Sequence, residues 1–116
     1  MSYNLVDTDS AMSSLPRLSQ KQALILDLLT RAGDSYGLEL VKGSGGQLKR
    51  GTVYVTLDRM EDKGLVESWT EAAPEGHRGP PRRKYRVTGH GAAALVNWYE
   101  GVTSVFSGLR LAGNTV

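Results

Sequence analysis

The sequence predicts a small α+β domain, mainly α, in which three helices precede a two-stranded hairpin and a longer helix follows it. Three observations predict it. Apolar residues recur at three- and four-residue spacing in three stretches before Gly64. The pattern then changes to the alternation of strands, in two runs separated by a turn-rich loop, and helical spacing returns after Thr88. At 116 residues, with 40% hydrophobic and 22% charged residues, the chain has the length and composition of one globular domain. No run approaches the roughly 18 apolar residues of a membrane span, and the first residues lack the basic-then-apolar order of a secretion signal. There is no cysteine, which removes disulfides, thiolate metal sites and a cysteine nucleophile together. The expectation is a cytoplasmic protein without cofactor or metal, stabilised by packing.

Residues 1–17 mix Ser, Asp and Asn without periodicity and read as an N-terminal arm or short helix. Ser19 and Gln22 have capping-box spacing, so a first helix starts there; Leu24, Ile25, Leu28 and Leu29 form its apolar stripe, and Gly33 with Asp34 ends it. Ser35 is the expected cap of a short second helix faced by Leu38 and Val41 and broken by the glycines at 43, 45 and 46. A third helix is expected over 49–63, with Val53, Leu57 and Met60 inward and Gly64 closing it in a left-handed conformation. Its opposite face, Thr52, Val55, Thr56 and Arg59, is read as polar and hydroxyl-rich.

Residues 65–70 and 84–88 read as strands, and the loop 74–81 between them carries Gly76, Gly79 and prolines, which suits a projecting tip. Thr88 caps the last helix, expected from Gly89 towards Leu109. Val96, Tyr99, Val102 and Phe106 share one stripe, widened by Leu95, Trp98 and Val105, and the face exceeds what so small a body can cover. A second copy of the chain is the expected cover.

The formal net charge is only +2, yet the charges are grouped. Arg78, Arg82, Arg83, Lys84 and Arg86 fall between His77 and Gly91 without an acid, whereas Glu61, Asp62, Glu67, Glu71 and Glu75 precede them. The hairpin therefore reads as a basic wing.

Three helices and a basic hairpin are the element order of a winged helix-turn-helix, whose third helix enters the major groove of DNA while the wing lies on adjacent backbone. Tyr36-Gly37-Leu38-Glu39-Leu40, the run from Gly51-Thr52-Val53-Tyr54 to Leu57-Asp58-Arg59-Met60-Glu61, Lys63-Gly64-Leu65-Val66 and Gly79-Pro80-Pro81-Arg82-Arg83-Lys84-Tyr85 carry a more specific likeness. Together they resemble the PadR family of transcriptional regulators, over roughly residues 18–96. The resemblance implies a homodimeric DNA-binding protein, usually a repressor of neighbouring genes, often released by a small aromatic or drug-like effector. Residues 18–88 would form the DNA-binding domain and 89–112 the C-terminal dimerisation helix.

Candidate DNA contacts are Lys49, Arg50, Gly51, Thr52, Tyr54 and Thr56 at the start of helix three, where amides, hydroxyls and cations can meet phosphate and the groove edge. Arg78, Arg82, Arg83 and Lys84 are the wing candidates. Tyr54 could instead pack against helix one and Thr52 merely cap, Arg59 could pair with Glu61, Asp62 or Glu67, and Arg86 could lay its stem across the sheet. Leu95, Trp98, Tyr99, Val102, Val105 and Phe106 are candidates for core, dimer seam or an apolar effector site. Glu39, His77 and His90 lack the spacing of a metal or catalytic site, so no enzyme is expected. The competing reading is a winged-helix adaptor whose basic wing meets an acidic protein surface without reading DNA.

Overall fold

The computed structural model describes residues 17–72, 76 and 79–114, the stretch 104–114 as backbone alone. The expected arm at 1–16 lies outside the described residues. In chain order the elements are α1 (Gln20–Ala32), β1 (Ser35–Tyr36), α2 (Gly37–Gly43), α3 (Val53–Asp62), β2 (Val66–Glu71), β3 (Arg82–Val87) and α4 (Gly89–Asn114). The fold is a winged helix.

Helix α1 begins as its sequence dictates. Ser19 Oγ accepts from the Gln22 amide, and Gln22 Oε1 accepts from the Ser19 amide, each at 3.1 Å, so two otherwise orphaned donors are satisfied reciprocally. At the other end Gly33 turns to φ 82° while its amide donates to the Leu29 carbonyl. The buried face is Ile25, Leu26 and Leu29; Leu24 and Leu28 are only half-buried at its edge.

Ser35 does not cap the second helix. It pairs with Tyr85 in β1, a third strand that local pattern did not predict, and its hydroxyl turns back to the Gly33 carbonyl at 2.8 Å. The extended residue before α2 is Tyr36, whose amide donates to Glu39 Oε1 at 2.8 Å. Helix α3 is also shorter than expected at its start. The amides of Thr52 and Val53 both donate to the Lys49 carbonyl, at 3.1 and 2.9 Å, so residues 50–52 form a turn and regular helix begins at Val53. Gly64, at φ 74°, follows the helix as its position predicts.

The sheet order is β1-β3-β2, all antiparallel, with β2 and β3 in register from Val66 opposite Val87 to Glu71 opposite Arg82. Alternation places Tyr85 inward, 1% exposed, among Ile25, Leu40, Leu57, Met60 and Leu65 of one continuous core. Leu95 belongs to that core too, at 6% exposed, so it is used inside the protomer rather than left on the outer stripe.

The start of α4 is locked to the root of the wing. Thr88 Oγ1 accepts from the Gly91 amide at 3.0 Å and donates to the Gly64 carbonyl at 2.5 Å, while the Thr88 amide donates to the Leu65 carbonyl at 3.1 Å. Gly91 sits so close that any Cβ there would strike the Leu65 carbonyl. Gly101, further along the same helix, faces open space. Gly91→Ala is therefore expected to destabilise the fold by about 1–3 kcal/mol through overpacking against backbone. Gly101→Ala should stabilise it by up to about 1 kcal/mol through helix propensity; urea unfolding of the two variants checks the opposite signs.

Candidate nucleic-acid interface

The outer side of α3 and the turn before it form one end of the candidate surface. Lys49, Arg50, Gly51 and Thr52 are all exposed, with nothing near Gly51. The hydroxyls on this face are turned back on their own chain. Thr56 Oγ1 donates to the Thr52 carbonyl at 3.2 Å, and Thr52 Oγ1 lies 3.5 Å from the Lys49 carbonyl, the pattern by which hydroxyl side chains satisfy themselves locally. Both hydroxyl oxygens keep the capacity to accept, Thr52 exposed and Thr56 half-buried. Beside them Val55 is 52% exposed and Tyr54 41%, with Arg59 exposed one turn after Val55.

Tyr54 is both exposed and structural. Its ring lies over Gly37 at the start of α2, where an added Cβ would come within 2.6 Å of Cε1. The absence of a side chain at Gly37 is what lets the ring lie that close to α2.

The wing cations form the other end. The acids that precede them in sequence are brought beside them in space, because the hairpin folds the acidic strand onto the basic one. Glu67 stands opposite Arg86 and Glu71 opposite Arg82. Arg83 Nη1 is 3.7 Å from Glu61 Oε2, and Lys84 Nζ is 3.8 Å from Glu71 Oε1. Arg86 is held most firmly: it meets Asp34 at 3.2 Å and Glu67 at 3.8 Å, and its guanidinium lies 4.5 Å from the Trp69 ring centre. Arg82 has the Tyr36 ring at 5.5 Å and no carboxylate within 4.0 Å among the described residues. Arg78 lies outside the described residues. Arg59, exposed on α3, also forms no ion pair among them.

Glu61 and Glu71 were not singled out as site residues, although they organise the cations. Glu61, at the end of α3, accepts from Ser68 Oγ at 2.5 Å and pairs with Arg83, which ties the helix to both strands of the wing. Glu71 accepts from the Tyr36 hydroxyl at 2.5 Å and from the Trp69 indole at 3.4 Å. The Tyr36–Glu71 pair spans β1 and β2 across the intervening β3. Only the strand order reveals it.

This arrangement of helix, turn and wing is shared with known regulators. The sequence profile of the "Transcriptional regulator PadR-like family" matches residues 25–97. The chain belongs to the PadR-like family. A PadR family transcription regulator from hypervirulent Clostridium difficile R20291 is 29% identical, with a TM-score of 0.63 over 78% of this chain and 94% of the other. The protein in the hsRosR-S4 complex is 31% identical, with a TM-score of 0.61 over 83% of this chain and 80% of the other. A PadR family regulator from Eggerthella lenta DSM 2243 shares the fold over 100% of this chain and 99% of its own, at 22% identity and TM-score 0.65. No curated protein matches significantly.

In this PadR-like chain α4 carries a second candidate surface. Val96 is 54% exposed, Tyr99 42% exposed, and Val102 and Trp98 are half-buried. Tyr99 donates to Asp27 Oδ1 at 2.8 Å, and Asp27 also meets Arg31 at 2.8 Å, so α4 is fastened to α1. The hydrogen bond to Asp27 raises the Tyr99 pKa above its usual value, because that contact needs the proton. Trp98 packs edge-on to Tyr99 at 5.4 Å, and both line a shallow groove of about 300 Å³ with Leu24, Asp27 and Gln47. The side chains of Val105 and Phe106 lie outside the described residues. No described helix is long and apolar enough to cross a membrane.

The Tyr36–Glu71 contact has a pH signature. The Tyr36 hydroxyl, then Trp69 and Lys84, hold the Glu71 carboxyl below its ordinary value of 4.5, outweighing the opposing effect of partial burial. The lowered folded-state pKa means the contact contributes fully above that ordinary value and is lost as pH falls through the lower, folded one. Tyr36→Phe should therefore lower the urea midpoint at neutral pH, and the gap to wild type should close as the solution is acidified below 4.5.

Proposed function

We infer that this PadR-like regulator is a homodimer that binds a partly palindromic operator, with α3 in the major groove and the wing on flanking phosphate. The observation that carries the reading is the exposed face of α3, bordered by Lys49 and Arg50 before its first turn and joined through Glu61 to the wing cations beyond its last. Family membership supports repression of neighbouring genes in a cytoplasmic, nucleoid-associated setting as part of the same reading. Within this scheme Arg82 is, among the described wing cations, the one most available to phosphate. Arg83 and Lys84 would exchange an exposed carboxylate for phosphate, at a cost limited by the roughly 0–1 kcal/mol such pairs contribute.

The exposed stripe of Val96, Tyr99 and Val102 is the seam we assign to the second copy. It would hold two α3 helices about one duplex turn apart, roughly 34 Å. A small apolar or aromatic effector would bind beside Trp98. By turning α4, which is bonded to α1 through Tyr99 and to the wing root through Thr88, it would take the two α3 helices out of register with their half-sites.

Fluorescence anisotropy on a duplex enriched from a randomised library tests the reading. Arg82→Ala should weaken enriched and random duplex alike and lower the slope of log affinity against log salt by about 0.9. An unchanged slope would remove Arg82 from the interface. No binding at low salt by folded protein would favour the protein-interaction adaptor. Val96→Glu should convert the sedimenting species from twice 12.6 kDa to once that mass. It should also reduce affinity for the enriched duplex by on the order of 10²–10⁴-fold, since the second half-site no longer binds as part of the same molecule.

A further inference from the structure

The apolar character of the outer α3 face identifies what kind of base contact it can make. Val55 is 52% exposed, with the partly exposed ring of Tyr54 as its chain neighbour. The hydroxyls of Thr52, three residues before it, and Thr56, its other chain neighbour, lie 3.5 and 3.2 Å from backbone carbonyls. Along the chain Val55 is flanked by exposed cations, Lys49 and Arg50 in the turn before the helix and Arg59 one turn after it. Cations at both ends of an apolar patch complement a groove edged by phosphate and carrying an apolar group on its floor. In the major groove of duplex DNA the apolar group offered by the base edges is the 5-methyl of thymine.

We propose that Val55 is a specificity-determining residue that packs its isopropyl group against a thymine 5-methyl in the operator's major groove. Helix α3 then selects thymine by apolar contact, with the threonine oxygens left as acceptors for neighbouring base amino groups. The inference rests on the DNA-binding reading above and deepens it.

The test begins with a duplex enriched by the full chain from a randomised library. Each thymine of the enriched half-site is replaced in turn by uracil, which removes the methyl and nothing else. At one position the replacement should weaken binding roughly four-fold, the worth of burying one methyl-sized group. In Val55→Ala the thymine–uracil difference should vanish at that position and persist elsewhere, the signature of direct coupling. The variant should fold, since the site is exposed and alanine is the better helix former; its circular dichroism verifies this. Equal affinity for thymine and uracil at every position, or the same methyl sensitivity in Val55→Ala as in wild type, would overturn the proposal. Failure to enrich any duplex would instead overturn the DNA-binding reading, and this inference with it.

Discussion

The constraint on which the rest depends is the junction of Thr88 and Gly91 with Gly64 and Leu65. One threonine hydroxyl there accepts from the first turn of α4 and donates to the carbonyl just after α3, while the same residue's amide holds the start of the wing. Gly91 lets the helix descend onto the Leu65 carbonyl, a contact with no room for a side chain. The end of α3, the root of the wing and the beginning of α4 consequently meet within a few residues. The candidate DNA-reading surface and the stripe proposed to join two copies are tied together there by short contacts to backbone rather than by long side chains.

The wing shows a second balance. Its cations are numerous in sequence, but Arg83, Lys84 and Arg86 each have a carboxylate beside them, and Arg86 has two. Exposed ion pairs of this kind contribute little to stability, so their main effect is to orient the arginines and to lower the local positive field. Tyr36 adds rigidity, with Arg82 and Lys84 both over its ring and its hydroxyl on Glu71. A wing pre-ordered in this way loses less side-chain entropy on meeting a phosphate backbone, and its attraction to unrelated polyanions is moderated.

Much of this was legible in the sequence, for identifiable reasons. The cap at Ser19, the glycine stops at Gly33 and Gly64, the inward set Val53, Leu57 and Met60 and the Thr88 cap are all local signals, and each stands where local chemistry places it. The failures are non-local. Strand β1 is two residues long, and its only evidence is pairing with Tyr85 and Lys84 about fifty residues away. The charge segregation along the chain dissolves once the hairpin brings its acidic and basic strands into register. Leu95 and Val96 are adjacent and chemically alike, yet one is 6% and the other 54% exposed; periodicity gives the stripe but not where the neighbouring helix lies. The spacing of Tyr36 and Glu39, like that of Ser19 and Gln22, did carry a capping signal, obscured because tyrosine is not a usual cap.

The central claim is that two copies read DNA as one rigid unit, each with α3 in a groove and a wing beside it. Hydroxyl-radical footprinting on the DNA upstream of the protein's own gene tests this most directly. Two protected patches are expected on the same face of the duplex, related by a dyad and separated by about one helical turn, roughly 34 Å. A single isolated patch, or uniform weak protection along the fragment by protein shown to be folded, would contradict it.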